Sequence, residues 1–318
     1  MKSLTERRLS PLVEGAFLAL IIAGLGALAI YFFPIKFLVD YIWGIPLIII
    51  VKKYNLGIGL LTLATTFFIT WMLTDPIMTL LLVVKLAPLA LVYALLFKGE
   101  VRPGVTLLSG VIVALLSDLV TLLGYMYLAQ VPIIPSDEAL RMQTQQFAEF
   151  YTKFGMDAEQ ARQLVDSAVK LSLMLIPSTL AVVAIFRAFL TYILAAKVLR
   201  KMNYGVAALP PFSDWRLPWY SIWSIILGLG MSLAGDEYQI KILSDIGKNL
   251  IFIFIPLFMV TGIAVVTKFF KTWRIPSWLK GLLVFLGLIN FGTTLVLFAL
   301  IGMFDPLVSF RKWNSSKE

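Results

Sequence analysis

The 318-residue chain contains no cysteine and no histidine, and only 14% of its residues are charged. Each absence closes off a class of chemistry. Without Cys there is no disulfide framework, no thiolate nucleophile and no Cys-ligated zinc or iron–sulfur cluster. Without His there is no Ser-His-Asp triad, no haem His ligand and no imidazole general base. Carboxylates, Lys, Arg, hydroxyls, aromatics and backbone must carry whatever the protein does. A Walker A loop and a GxGxxG turn after a strand are also missing. Ala234-Gly235-Asp236 lacks the first Gly of the GxGD pattern of intramembrane aspartyl proteases. These gaps argue against an enzyme, and no cofactor or metal is expected.

What is there is apolar. Hydrophobic residues make up 60% of the chain and mean hydropathy is +0.91. A soluble domain runs nearer about 45–50% apolar and about 25% charged. The excess cannot be buried in a soluble core of this size, so the chain is predicted to be an all-α integral membrane protein. Net charge is +9. In a bilayer protein this surplus belongs to cytoplasmic loops rather than to nucleic-acid binding. The apolar stretch from Pro11 to Phe33 is too long for a signal-peptide h-region of about 7–15 residues, and no small-x-small cleavage site follows.

A spanning helix needs about 20 apolar residues. Nine candidate runs are present: 11–33, 35–51, 56–74, 76–97, 103–128, 171–196, 217–234, 249–267 and 281–303. The second and seventh are short, and the second carries Asp40, Gly44 and Pro46. With the N-terminus inside, the inner segments hold 15 Lys or Arg against three acids, while the outer ones hold seven basic residues and eleven acids. The contrast predicts a cytoplasmic N-terminus. Nine spans would put Arg311, Lys312 and Lys317 outside; one late span fewer, or a re-entrant one, would return the tail to the cytoplasm. Trp215, Trp219, Tyr220, Trp223, Trp273 and Trp278 fall where span ends should meet the headgroups, as belt residues do.

Residues 132–170 form the longest polar stretch. Ser136 with Asp137 and Glu138 reads as a helix start. Leu140, Phe147, Phe150, Tyr151 and Phe154 recur at helical spacing. Gly155 should end that helix, and Asp157 with Gln160 resembles a capping box opening a second one. The pattern predicts a helical hairpin on the outer membrane surface, serving as a connector or as a lid over an outward-facing site. Pro210 and Pro211 break any helix. A domain boundary is expected near Met202–Gly205, giving a six-span bundle over 1–203, with its insertion at 132–170, and a three-span extension over 204–318.

Charges inside spans are expensive, and each is a functional hypothesis by default. They are Glu14, Lys85, Asp118 and Arg187. Lys85 lies ten residues inward from Asp75, and Asp118 ten residues from Leu128. Each is therefore roughly 15 Å from the outer end of its span. The matched depth predicts a Lys85–Asp118 pair near the midplane, either fixing helix packing or flooring a solute site. Pro88 just beyond Lys85 favours a cavity there. Polar stripes run alongside: Thr62, Thr66 and Thr70 with Thr65 beside them; Ser117, Asp118, Thr121 and Tyr125; Thr179, Arg187 and Thr191. Substrate-binding candidates are thus Lys85, Asp118, Thr66, Thr70, Thr121 and Tyr125. Depth also allows, less well, a second pair between Glu14 and Arg187. Asp118 has no second Asp at its depth for carboxylate chemistry. The first span repeats small residues at Gly15, Ala19, Ala23 and Ala27, a face for close helix approach within the bundle or to a partner's helix.

Three short motifs carry a resemblance: Arg7-Arg8-Leu9 before the small-residue first span, the turn Lys52-Lys53-Tyr54-Asn55-Leu56-Gly57, and Leu209-Pro210-Pro211-Phe212 with Trp215-Arg216-Leu217-Pro218. The whole chain resembles the YybS-like family of bacterial membrane proteins, and its first six spans are similar to the substrate-binding S components of energy-coupling-factor vitamin transporters. The resemblance implies cytoplasmic termini, an outward-opening ligand pocket gated by outer loops, and contact of Gly15, Ala19 and Ala23 with a transmembrane coupling subunit. The three extra C-terminal spans and the 132–170 segment depart from a simple S component, and no signature of a particular vitamin or of cobalt is present. The same six-helix fold serves in the rod-shape protein MreD as a non-transporting envelope scaffold. The leading expectation is solute capture for a transporter in the bacterial cell membrane, energised by a separate ATPase subunit. A scaffold or regulatory role is the alternative, and an enzyme using Asp118 a weaker third.

Overall fold

The computed structural model describes residues 10–132, 135–207, 209–272 and 276–308. Arg7-Arg8-Leu9, Trp273 and the tail residues Arg311, Lys312 and Lys317 lie outside them. The described chain is helical. Its helices are α1 Pro11–Tyr31, α2 Phe33–Ile42, α3 Ile45–Lys53, α4 Leu56–Leu73, α5 Pro76–Lys98, α6 Pro103–Tyr127, α7 Asp137–Lys153, α8 Ala158–Met174, α9 Ile176–Lys201, α10 Ile222–Glu237, α11 Lys241–Thr272, α12 Ser277–Ile289 and α13 Phe291–Val308.

Capping follows the sequence. Ser10, Asn55, Asp75 and Asp157 each accept a backbone N–H of the first turn of α1, α4, α5 and α8, satisfying donors that helix starts leave unpaired. At the other ends, Lys52 Nζ donates to the Phe97 carbonyl (2.8 Å) and Lys98 Nζ to the Tyr54 carbonyl (2.6 Å). The basic turn residues thus bind helix C-terminal carbonyls as well as marking a side of the membrane.

Among the described residues, eight stretches are long and apolar enough to cross a membrane, α2 and α3 counting together as one from Pro34 to Lys53. Their outward side chains include Phe17, Phe68, Met72, Leu108 and Val120, all largely exposed, as expected for faces solvated by lipid. Two expected spans differ. The run 281–303 is broken: α12 ends at Ile289, Asn290 caps it, and α13 starts at Phe291. The run 217–234 yields α10, of only 16 residues, roughly 24 Å at 1.5 Å per residue and short of a hydrocarbon core of about 30 Å. Its lead-in makes up the length. Asp214 pairs with Lys268 at one end of α11 (2.9 Å) and Asp236 with Lys248 nearer the other (3.2 Å). Segment 214–236 therefore runs alongside the whole apolar length of α11.

The chain divides into two compact units, 1–140 with 183–209, and 141–182 with 210–318. The 132–170 insertion, read from sequence as part of the N-terminal bundle, groups mostly with the C-terminal extension.

In the first unit α1 packs on α4, α3 on α5 and α5 on α6. Trp43, Leu47, Ile48, Tyr93, Ala188 and Tyr192 lie in its core. Tyr93 donates to the Ala188 carbonyl (2.7 Å) and its ring meets those of Phe97 and Tyr192, which clamps α5 to α9.

In the second unit, small residues bring helices to backbone contact. A Cβ on Gly262 would collide with the Phe298 carbonyl, and one on Gly302 with that of Phe258. Gly228, Ser232 and Gly235 of α10 face Ser244 and Gly247 of α11 in the same way. Without a hydrophobic drive between helices in lipid, such close approach supplies the dispersion contact that holds them together. The α7–α8 hairpin turns at Gly155, whose φ of 90° needs a residue without Cβ. It closes on Ala148, Ala161 and Val165, leaving Phe147, Phe150 and Phe154 exposed.

Candidate functional site

The second membrane segment is discontinuous. α2 stops at Ile42, Trp43 and Gly44 form a turn, and α3 starts at Ile45 with Pro46 in its first turn. Proline removes one donor and is accommodated at a helix start. Gly44 is required by packing, since a Cβ there would strike the Cβ of Ala90 on α5 (2.7 Å). Broken membrane helices are tolerated where protein or a cavity surrounds the freed backbone, and in transporters they mark ligand sites.

Four charges of the first unit gather beside this break. Lys85 of α5 pairs with Asp40 of α2. Arg187 of α9 donates through Nη1 to Asp118 Oδ1 of α6 (2.7 Å) and through Nη2 to the Ala114 carbonyl (2.8 Å). The pairs are close enough to act on each other through space: Asp118 feels Arg187, Lys85 and Asp40, and Tyr41 feels Asp40 and Arg187. The quartet is neutral as a whole, the arrangement a low-dielectric interior demands. Its members differ in access. Arg187 and Asp118 side chains are 1% and 6% exposed, whereas Lys85 and Asp40 are 20% and 16% exposed. Thr191 of α9 donates to the Tyr41 carbonyl at the end of α2 (3.3 Å).

This geometry corrects the expected pairing. Lys85 and Asp118 do fall in one cluster, but each takes another partner. Arg187 presents a fork of donors that suits a deeply buried carboxylate better than a point-charge ammonium does. Lys85 on its flexible stem reaches the more accessible Asp40. The possible Glu14–Arg187 pair is also corrected: Glu14 binds Lys53 (2.6 Å) and the Tyr54 hydroxyl (2.7 Å) at the end of α3. Asp40 was missed as a partner, although its place in a short, Gly- and Pro-containing apolar run was a usable signal.

The remaining substrate-binding candidates lie on α4 and α6. Thr66 is buried and donates to the Ala19 carbonyl at 3.5 Å. Thr121 is buried and bonds its own helix at the Ser117 carbonyl (2.7 Å). Tyr125 is half-buried near the end of α6. Thr70 is fully buried. Gly15, Ala19 and Ala23 are buried too; a Cβ on Gly15 would meet Thr62 Oγ1 of α4. The small-residue face of α1 that the resemblance gives to a partner is thus filled by α4 of the same chain.

Four buried polar atoms of this unit have no hydrogen-bonding partner among the described residues: Asp118 Oδ2, Arg187 Nε, Trp43 Nε1 and Thr70 Oγ1. The last two side chains border Gly26, whose missing Cβ would lie 3.3 Å from Trp43 Nε1 and 3.5 Å from Thr70 Cγ2. Buried polar groups are rarely left unpaired, and each such group calls for a water, an ion or a ligand. The salt bridge therefore retains one open acceptor on the carboxylate and one open donor on the guanidinium. No cluster of acids that could hold a metal ion is present among the described residues.

The model of a family described as "Predicted membrane protein (DUF2232)" matches residues 20–306. No curated protein and no solved structure matches the chain.

Proposed function

Starting from the chain's membership of the DUF2232 family of membrane proteins, we propose that it binds a small polar solute inside the N-terminal unit, as the substrate-capture subunit of a transporter. The observation that carries this reading is the buried Asp118–Arg187 pair at a broken membrane helix, with Asp118 Oδ2 and Arg187 Nε unpartnered. A solute offering both a donor and an acceptor, such as an amino group beside a carboxylate, would complete both. The partly accessible Lys85–Asp40 pair is the side from which it would reach them. This reading is the one that the resemblance of the sequence motifs to YybS-like proteins and energy-coupling-factor S components implies. It puts the N-terminus in the cytoplasm of a bacterial cell, because the basic segments then lie inside. The chain carries no nucleotide-binding loop, so energised transport would need a coupling subunit and an ATPase. With α4 covering Gly15, Ala19 and Ala23, that coupling subunit would meet another face of α1. The protein acts without covalent chemistry of its own in this reading.

One observation favours a second reading, a non-transporting scaffold or regulator of the cell envelope. Every charge of the quartet already has a protein partner, as a bundle stiffened for its own sake would have. Native mass spectrometry of the purified protein separates the two, together with pull-down of an ATPase. Capture predicts a retained small molecule that disappears in the Asp118→Leu/Arg187→Met double variant. A molecule-free wild type with no ATPase partner would leave the scaffold.

A further inference from the structure

The second unit carries a basic cleft unrelated to the quartet. It has a volume of about 660 Å³ and is lined by Lys170, Leu171 and Met174 on the α8 side and by Lys241, Asp245 and Lys248 on α11. Lys170 and Lys241 are exposed and have no ion-pair partner among the described residues. Lys248 shares Asp236 with Ser244 (3.2 and 2.6 Å). Among the described residues Asp245 is the one acid lining the cleft; with Lys248 balanced by Asp236, Lys170 and Lys241 against Asp245 still leave it net positive.

Its height in the membrane is fixed by one side chain. Asn249 of α11 accepts from the Ser178 amide (3.0 Å) and donates to the Met174 carbonyl (3.1 Å). That clasp sets the junction of α8 and α9 level with the point where α11 becomes continuously apolar. The apolar part of α11, 249–267, is roughly 28 Å long and fills the hydrocarbon core by itself. Lys241, Asp245 and Lys248 are therefore the turns of α11 that project past the core, and Lys170 stands just before α9 enters it. Ammonium groups rim the cleft at headgroup level, and Leu171, Leu173 and Met174 continue it towards the acyl region.

We propose that this cleft is a binding site for an anionic phospholipid, its phosphodiester held by Lys170, Lys241 and Lys248 and its acyl chains lying on Leu171, Leu173 and Met174. The charge sign selects an anion, and the apolar floor at the membrane boundary selects a lipid over a free phosphate ester. Basic pockets between membrane helices are suited to such headgroups.

The test uses the full chain in nanodiscs containing phosphatidylglycerol and phosphatidylcholine in equal amounts, with retained lipid counted by native mass spectrometry. Wild type should keep phosphatidylglycerol preferentially. Lys170→Gln/Lys241→Gln should lower that preference by roughly fivefold per lysine removed, and Asp245→Asn should raise it. The Asn variant also keeps the test decisive if the Gln variant folds poorly. Equal retention of the two lipids by wild type, or an unchanged preference in both variants, would overturn the site. Displacement of phosphatidylglycerol by glycerol phosphate alone would overturn the lipid as its occupant. None of these variants touches the quartet, so loss of this site leaves the solute reading standing.

Discussion

Replacing Asp118 with Leu strands the Arg187 guanidinium, which is 1% exposed, with only the Ala114 carbonyl still accepting from it. Arg187→Met strands the carboxylate in the same way. Removing one partner of a buried ion pair costs about 3–5 kcal/mol, whereas replacing both with apolar groups of similar volume is often close to neutral. The two single variants should thus each lose several kcal/mol and the double variant recover most of it. That is a coupling energy at the top of the range of about 0.5–3 kcal/mol seen for neighbours, or above it. The Lys85–Asp40 pair is more exposed, at 20% and 16%, so its single losses should be smaller, about 1–2 kcal/mol. The decisive cycle is the crossed one. Lys85→Met with Asp118→Leu should couple more weakly than either direct pair, since those residues act on each other only through space. Steric-trap unfolding of the purified protein in bicelles measures all three cycles. A Lys85/Asp118 coupling equal to or above that of Arg187/Asp118 would refute the pairing and the site built on it.

Further variants probe the rest of the fold. Gly302→Ala and Gly262→Ala should each destabilise the second unit by about 1–3 kcal/mol, because the new Cβ meets backbone that cannot step aside; Gly230→Ala, with open space around it, should be neutral, and thermal unfolding in detergent compares the three. Asn249→Leu removes the clasp on Met174 and Ser178 and should cost about 1–3 kcal/mol, with faster hydrogen exchange at the Ser178 amide; unchanged exchange there would count against the clasp. Because the chain has no cysteine, Gln145→Cys gives a single label on α7. It should react with an impermeant maleimide added outside whole cells, and labelling from the cytoplasmic side alone would reverse the proposed orientation.

The sequence alone determined what local composition controls. Apolar run length marked the spans, because a bilayer leaves a backbone few alternatives to a helix. Ser136 and Asp157 marked helix starts, because a cap depends on a residue and the amides two or three positions on. Gly155 marked the hairpin turn through its φ. Three of the four quartet charges, Lys85, Asp118 and Arg187, were legible as well, since a charge deep in a long apolar span stands out, whereas Asp40 in its short run was not. Depth counting even brought Lys85 and Asp118 to one level. Only the tertiary structure decided who pairs with whom. Depth is one coordinate, whereas partner choice depends on the rotation of each helix about its axis and on which helices are neighbours. Asp40 could be assigned to Lys85 only once the break at Trp43–Gly44 and the packing of α3 on α5 had set the end of α2. The small residues of α1 advertised a close contact, but a stripe of Gly and Ala fits a helix of the same chain as well as one from a partner, and α4 took the place. The glycines of α10, α11 and α13 fell outside any simple repeat because their contacts join residues far apart in the chain, and the physics of backbone approach acts across space rather than along the sequence.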